Sequence, residues 1–204
     1  MENLEQKEID RYWSDGAENY SWIIDDELSS FRVKKWTKKI TENISSSQKP
    51  KILDAGCGPG FFTIILNQAC METVGIDGAE KMLQEARLKA ARLGLAPVFR
   101  KMDCHQLDFA DNTFDAVISR NLTHTLRDHK KVYKEWLRVL KPGGTLLIFD
   151  ANWHLTECDE KLRTESLKRR EECIRLYGDA FDKKSNLKDT EEHERNVGSH
   201  VLGD

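Results

Sequence analysis

Between Lys51 and Asp150, short apolar runs alternate with helix-length amphipathic stretches, and this alternation constrains the fold more than any other feature. Residues 51–55 (Lys-Ile-Leu-Asp-Ala) read as a buried strand, followed by a glycine loop and a helix over 61–69. A second strand is predicted over 73–77, and a helix over 79–93 is stopped by Gly94. Residues 97–103 and 114–119 form the third and fourth strands. A helix over 128–140 ends at Lys141-Pro142-Gly143-Gly144, and 145–149 is the fifth strand. The strands are continuous apolar runs, as strands buried on both faces require. Alternation of this kind implies an α/β fold: a doubly wound sheet of parallel strands joined by right-handed crossovers, with helices on both faces.

Two flanks stand outside this core. Residues 1–49 read as an N-terminal helical segment, with Ile9, Tyr12 and Trp13 at helical spacing and Val33, Trp36, Ile40 and Ile44 on a second helical face. The core domain is then 50–154, and 155–204 a C-terminal helix, centred on 156–177, with a charged tail. The formal net charge of -3 comes from acids and bases mixed along the chain, which argues against a broad nucleic-acid-binding surface. The polar start is unlike a secretory signal, and no apolar run approaches the ~20 residues that span a bilayer. The odd number of cysteines, without a Cys-x-x-Cys pair, supports neither a disulfide framework nor a zinc site, so no metal is expected. The expectation is a cytoplasmic protein with reduced thiols.

The chemistry gathers at the carboxyl ends of the strands, the edge where open α/β sheets bind ligands. Leu53-Asp54-Ala55-Gly56-Cys57-Gly58-Pro59-Gly60 closes the first strand. Its glycines let the backbone turn sharply and approach a ligand closely, and the helix that follows points its N-terminus at the same spot. Asp77 ends the second strand about 20 residues later, where an acid can accept hydrogen bonds from ribose hydroxyls. Asp103 ends the third strand, and Ser119-Arg120-Asn121 the fourth. Nicotinamide and flavin enzymes share this geometry but favour Gly-x-Gly-x-x-Gly, and here Phe61 stands where their third glycine falls. Asp54, two residues ahead of the loop, would repel a pyrophosphate and suit a cationic amino group.

With these residues in hand, the sequence resembles the class I S-adenosylmethionine-dependent methyltransferases, and most of all their small-molecule, type 11-like branch. The resemblance runs from roughly Tyr12 to Asp150. It rests on Leu53–Gly60, Val74-Gly75-Ile76-Asp77, Lys101-Met102-Asp103-Cys104, the fourth strand from Phe114 to Ser119, and the turn Leu140-Lys141-Pro142-Gly143-Gly144 into the fifth. It implies a Rossmann-like sheet ordered 3-2-1-4-5, with S-adenosylmethionine as cofactor and S-adenosylhomocysteine as product. By the same resemblance Gly56, Cys57, Gly58 and Gly60 wall the methionine part of the donor, and Asp54 holds the loop or meets the donor's amino group through water. Asp77, with Gly78, takes the ribose. Asp103 and the Cys104 backbone take the adenine, and Ser119, Arg120 and Asn121 line the mouth near the sulfonium. Tyr20 resembles an aromatic that lids the donor.

Plainer readings compete. Asp77 and Asp103 could serve as helix N-caps, Tyr12, Trp13 and Tyr20 as packing aromatics, and Cys57 and Cys104 as small fillers. Asp115 sits at the wrong end of its strand for the site and reads as structural. Lys168-Arg169-Arg170 is followed directly by Glu171-Glu172, which suits a solvated helix face. Methyl transfer needs alignment more than a fixed catalytic set. An acceptor that must lose a proton needs a base, and His124 and His154, after the fourth and fifth strands, are the candidates beside their reading as exposed or capping histidines. The partner expected is a small-molecule acceptor, with neither nucleic acid nor membrane. A donor-binding module without turnover and a nicotinamide-dependent oxidoreductase are the rival functions.

The family's sheet usually ends in an antiparallel hairpin of two further strands, and no strand pattern appears after Asp150. The hairpin is expected to be missing, with a C-terminal truncation as one reading. That leaves the fifth strand's edge to be paired with a second copy, in a homodimer, or covered by residues beyond Thr156.

Overall fold

The computed structural model describes residues 4–44, 49–152 and 158–177. The chain divides into two compact units, Met1–Asp150 and Ala151–Asp204. In the first, helices α1 (Leu4–Asp15), α2 (Ala17–Leu28) and α3 (Arg32–Thr41) precede an alternating core. The core runs β1 (Lys51–Ala55), α4 (Phe61–Gln68), β2 (Glu72–Asp77), α5 (Glu80–Arg92), β3 (Val98–Lys101), β4 (Phe114–Arg120), a 3-10 turn (Thr123–Thr125), α6 (His129–Val139) and β5 (Leu140–Phe149). In the second unit the described element is α7 (Glu160–Tyr177), whose first turn is capped by the Asp159 carboxylate accepting from Leu162 N at 3.1 Å.

The five strands form one parallel sheet in the order β3-β2-β1-β4-β5, as the sequence implied. The central strands are buried almost end to end, and β3 and β5, at the two edges, are more exposed. Alternate residues divide the core. Leu53, Ala55, Val74, Ile76 and Val117 meet Val132, Trp136 and Val139 of α6. Ile52, Ala116 and Ile118 meet Phe61, Phe62, Ile65 and Leu66 of α4, together with Ile24 of α2 and Ile40 of α3. Burying apolar area on both faces is the main favourable contribution to such a sheet.

Two local features differ from the sequence reading. The fifth strand begins at Leu140, directly after α6, and not at Thr145. Phe114 pairs with Leu140 and Ala116 with Thr145, so Lys141–Gly144 form an irregularity within the strand, eased by Gly143 at φ +76°. The N-terminal segment holds three helices, of which α2 lacks a clear apolar stripe. Its buried residues are Ala17, Ser21, Ile24 and Glu27, and the two polar ones hide the periodicity. Ser21 Oγ donates to Glu85 of α5 at 2.6 Å, and Glu27 pairs with Arg120.

Asp115 ties the amino ends of the strands together, accepting from Lys51 N at 2.8 Å and Lys141 Nζ at 2.9 Å. Cys57, Cys70, Cys104 and Cys158 are free thiols. Among the described residues no helix is long and apolar enough to cross a membrane. The expected missing hairpin falls on residues 178–204, which lie outside the described residues. Within the sheet, β5 pairs with β4.

Candidate functional site

The loop after β1 turns through three glycines in the left-handed region, Gly56 at φ +69°, Gly58 at +51° and Gly60 at +88°. Gly60 begins α4, and a Cβ there would stand 2.9 Å from Ala86 Cβ, so backbone and packing both demand glycine. At Gly58 the surroundings are open. An added Cβ would meet Tyr20 Cε1 at 3.7 Å and no other neighbour within 4 Å among the described residues. That space, roofed by Tyr20, is a cradle that any side chain at position 58 would fill.

Two carboxylates support the loop. Asp54 is buried, and its Oδ2 accepts from Thr63 N at 2.9 Å and Thr63 Oγ1 at 2.7 Å, strapping the first turn of α4 to β1. Burial pushes its pKa up to about 7, against the lowering effect of the Thr63 hydrogen bonds. Asp77 Oδ2 accepts from Gly58 N at 2.9 Å and Oδ1 from Ala79 N at 2.8 Å, so one side chain joins the glycine loop to the start of α5. Burial raises it to about 6 despite those two bonds, and Asp10 adds to the rise. The helix-capping contact weighed for Asp77 is therefore present, alongside one to the glycine loop. Cys57 and Cys104 are buried thiols held well above their ordinary range, first by burial and then by neighbouring acids, which suits fillers rather than nucleophiles.

At the end of β3, Asp103 Oδ1 accepts from His105 N at 2.8 Å and lies 2.6 Å from His105 Nδ1, while Oδ2 accepts from Arg127 at 2.9 Å. Burial acts to raise its pKa, but His105 and Arg127 prevail and hold it below the ordinary carboxylate value. His105 Nε2 accepts in turn from Asp128 N at 3.2 Å, joining this corner to the start of α6.

The loop after β4 forms the other wall. Ser119 is fully buried, and its Oγ has no hydrogen-bond partner among the described residues. Asn121 adopts φ +53°, its N–H donating to Phe149 O at 2.9 Å. Leu122 then packs against Gly56, where a Cβ would come within 2.7 Å of it. Asp150, at the end of β5, accepts from Thr123 N at 2.8 Å, and its Oδ1 lies 3.7 Å from His124 Nδ1. Arg120, expected at the mouth, is committed elsewhere. Its guanidinium makes two 2.8 Å bonds to Glu27 and lies 5.1–5.7 Å from the Trp36, Phe61 and Phe62 rings. His154 lies outside the described residues.

Known proteins share this architecture. Residues 53–148 match the family model of a methyltransferase domain, and they span the glycine loop, both acids and the β4 wall. This stretch is a methyltransferase domain of the S-adenosylmethionine-dependent kind. A phosphatidylethanolamine N-methyltransferase of Cereibacter sphaeroides is 33% identical over 129 residues, covering 62% of this chain and 63% of the relative. A demethylmenaquinone methyltransferase of Staphylococcus aureus (strain JH9) is 32% identical over 128 residues, covering 61% and 53%. The chain thus spans less than two thirds of either relative. A solved structure from Methanococcus maripaludis, assigned to the S-adenosyl-L-methionine-dependent methyltransferases, shares the fold at 22% identity, with TM-score 0.61 and coverage of 93% of this chain and 84% of that one.

The candidate site also includes residues that motif reading missed. Thr63, His105, Arg127 and Asp10 bond or abut the motif residues, Asp150 lies beside His124, and Gln6 bonds Arg127 and Asp10. Only His105 had a sequence signal, the Asp-x-His spacing of a side chain accepting from the backbone two residues on. Gln6 and Arg127 meet at 2.8 Å across more than a hundred residues of sequence, and no local pattern announces such a contact.

Proposed function

We propose that the chain binds S-adenosylmethionine across the carboxyl ends of β1 and β2 and transfers its methyl group to a small-molecule acceptor. The observation that carries this reading is the open cradle at Gly58, roofed by Tyr20 and floored by Asp77. The residues fit the cofactor. Gly58 leaves room beside the backbone for the methionine part, Gly56 and Gly60 turn the loop around it, and Cys57 stays buried. Asp77 and Gly78 face the ribose, Asp103 and the Cys104 backbone the adenine, and Asn121 with the orphaned Ser119 hydroxyl the sulfonium end. The cofactor supplies a methyl carbon already activated by its sulfonium. The chain's own residues orient the acceptor and exclude water.

Where the acceptor must release a proton, His124 is the base, oriented by Asp150 beside its Nδ1. Trp13 meets the His124 ring edge-on at 6.5 Å and Tyr20 at 6.2 Å, so aromatic groups run from the cradle to the histidine. The two relatives are named for a phosphatidylethanolamine and a demethylmenaquinone, acceptors of different chemistry, and the acceptor atom here is left open between nitrogen, oxygen and carbon. The outer edge of β5 is where a second copy would pair.

Calorimetry with S-adenosylhomocysteine tests the donor site, and release of S-adenosylhomocysteine from S-adenosylmethionine with a panel of amines, phenols and quinols tests turnover. Donor binding with no turnover on any acceptor would replace the enzyme reading with a binding module. NADH binding without S-adenosylhomocysteine binding would overturn both.

A further inference from the structure

Helix α1 lies over the site in an unusual way. Gln6, Ile9, Asp10 and Trp13 are spaced as one helical face, and each is half-buried, yet no residue of α1 is fully buried. A helix docked into a core would bury an apolar stripe. Beside Ile9 and Trp13, this inner stripe carries an amide and a carboxylate, which suits a helix laid partly over a polar ligand.

Asp10 is the residue placed to matter. A Cβ added at Gly78 would stand 2.9 Å from Asp10 Cγ and collide with its Oδ1, so the carboxylate rests on the backbone directly after Asp77. The two acids are close enough for Asp10 to raise Asp77. Gln6 fixes the position of Asp10 and links it to the adenine corner. Its Nε2 donates to Asp10 Oδ1 at 2.8 Å, and its Oε1 accepts from Arg127 Nε at 2.8 Å. Arg127 in turn donates to Asp103.

Two neighbouring carboxylates repel unless something with hydrogens to donate comes between them. A ribose cis-diol brings two O–H donors on adjacent carbons, one for each acid. We propose that Asp10 is a second ribose-binding carboxylate, carried on the N-terminal helix, which shares the donor's 2′- and 3′-hydroxyls with Asp77 so that the donor site is complete only with α1 seated. This rests on the donor reading above and adds a residue outside the matched methyltransferase domain.

The test is calorimetry on the full chain with S-adenosylhomocysteine and its 2′-deoxy and 3′-deoxy analogues. Asp10→Ala should weaken S-adenosylhomocysteine binding about tenfold, the effect of losing one charge-assisted hydrogen bond. One deoxy analogue should bind wild type and Asp10→Ala equally, because the hydroxyl that Asp10 holds is already gone. The other analogue should show the same insensitivity to Asp77→Ala. Asp10→Asn, which keeps shape and one acceptor oxygen, should fall between wild type and Asp10→Ala. An equal loss for all three ligands on Asp10→Ala would mean that Asp10 merely holds α1, and would overturn the proposal. Unchanged or tighter S-adenosylhomocysteine binding by Asp10→Ala would overturn it too, making Asp10 a neutral or blocking group. A wild-type chain that does not bind S-adenosylhomocysteine would instead overturn the donor reading, and this proposal with it.

Discussion

The two halves of the sheet's carboxyl edge are built differently. Around β1 and β2 the site is held by short-range chemistry, with Asp54 bonded to Thr63 and Asp77 bonded to Gly58 and Ala79. Each bond joins a strand end to the loop or helix beginning beside it. Around β4 and β5 the holding contacts reach outward to the N-terminal helices. Arg120 is clasped by Glu27 of α2, Arg127 by Gln6 of α1, and His124 meets the Trp13 ring. The β1–β2 half is therefore braced from within the core, with Tyr20 and Asp10 laid over it, whereas the β4–β5 half is braced by the N-terminal helices themselves.

The sharpest way to break the comparison is at Gly58. Gly58→Val should abolish S-adenosylhomocysteine binding while circular dichroism stays native, because a branched side chain fills the cradle and strains a backbone at φ +51°. A folded variant that binds normally would remove the cradle from the donor site.

Glu27→Ala acts on the other half. It leaves the Arg120 guanidinium largely buried among three rings without its carboxylate, which should cost about 2–4 kcal/mol of stability by chemical denaturation. If the midpoint of unfolding does not move, the N-terminal helices are not anchored through this pair.

Asp77→Ala should weaken donor affinity by about 1.5–3 kcal/mol through lost charge-assisted hydrogen bonds. Unchanged affinity by calorimetry would reduce Asp77 to the helix cap it also provides.

A pH effect separates the acids themselves. Asp54 and Asp77 keep protons in the folded state, to about pH 7 and about pH 6, that the unfolded chain releases near 3.8. Their contribution to stability therefore falls as pH rises from about 4 to 7. Asp103, shifted the other way, contributes above its ordinary value and loses that contribution only in more acid solution. The melting temperature of Asp54→Asn should accordingly fall less between pH 4.5 and 7.5 than that of wild type. Parallel curves would show that Asp54 folds as the carboxylate. The smallest effect belongs to His124→Gln, which should slow turnover on a proton-bearing acceptor and leave S-adenosylhomocysteine affinity as it was. Equal turnover would dismiss His124 as the base.

What the sequence determined by itself is what depends on neighbours along the chain. Continuous apolar runs separated by helix-length segments specify a parallel sheet, because only strands covered on both faces are written that way. Gly56, Gly58 and Gly60 specify a tightly turned loop after β1, and Asp77 and Asp103 were legible because they end strands. Tertiary structure alone decided the rest. Arg120 reads as a mouth residue until Glu27 and the aromatic rings behind it are in place, and α2 reads poorly because its buried face includes Ser21 and Glu27, whose partners lie on α5 and β4. Asp10 and Gln6 carry no motif at all. Their positions are set when α1 folds back over the strand ends, and a hydrogen bond between residues 6 and 127 depends on three-dimensional closure that no local pattern encodes.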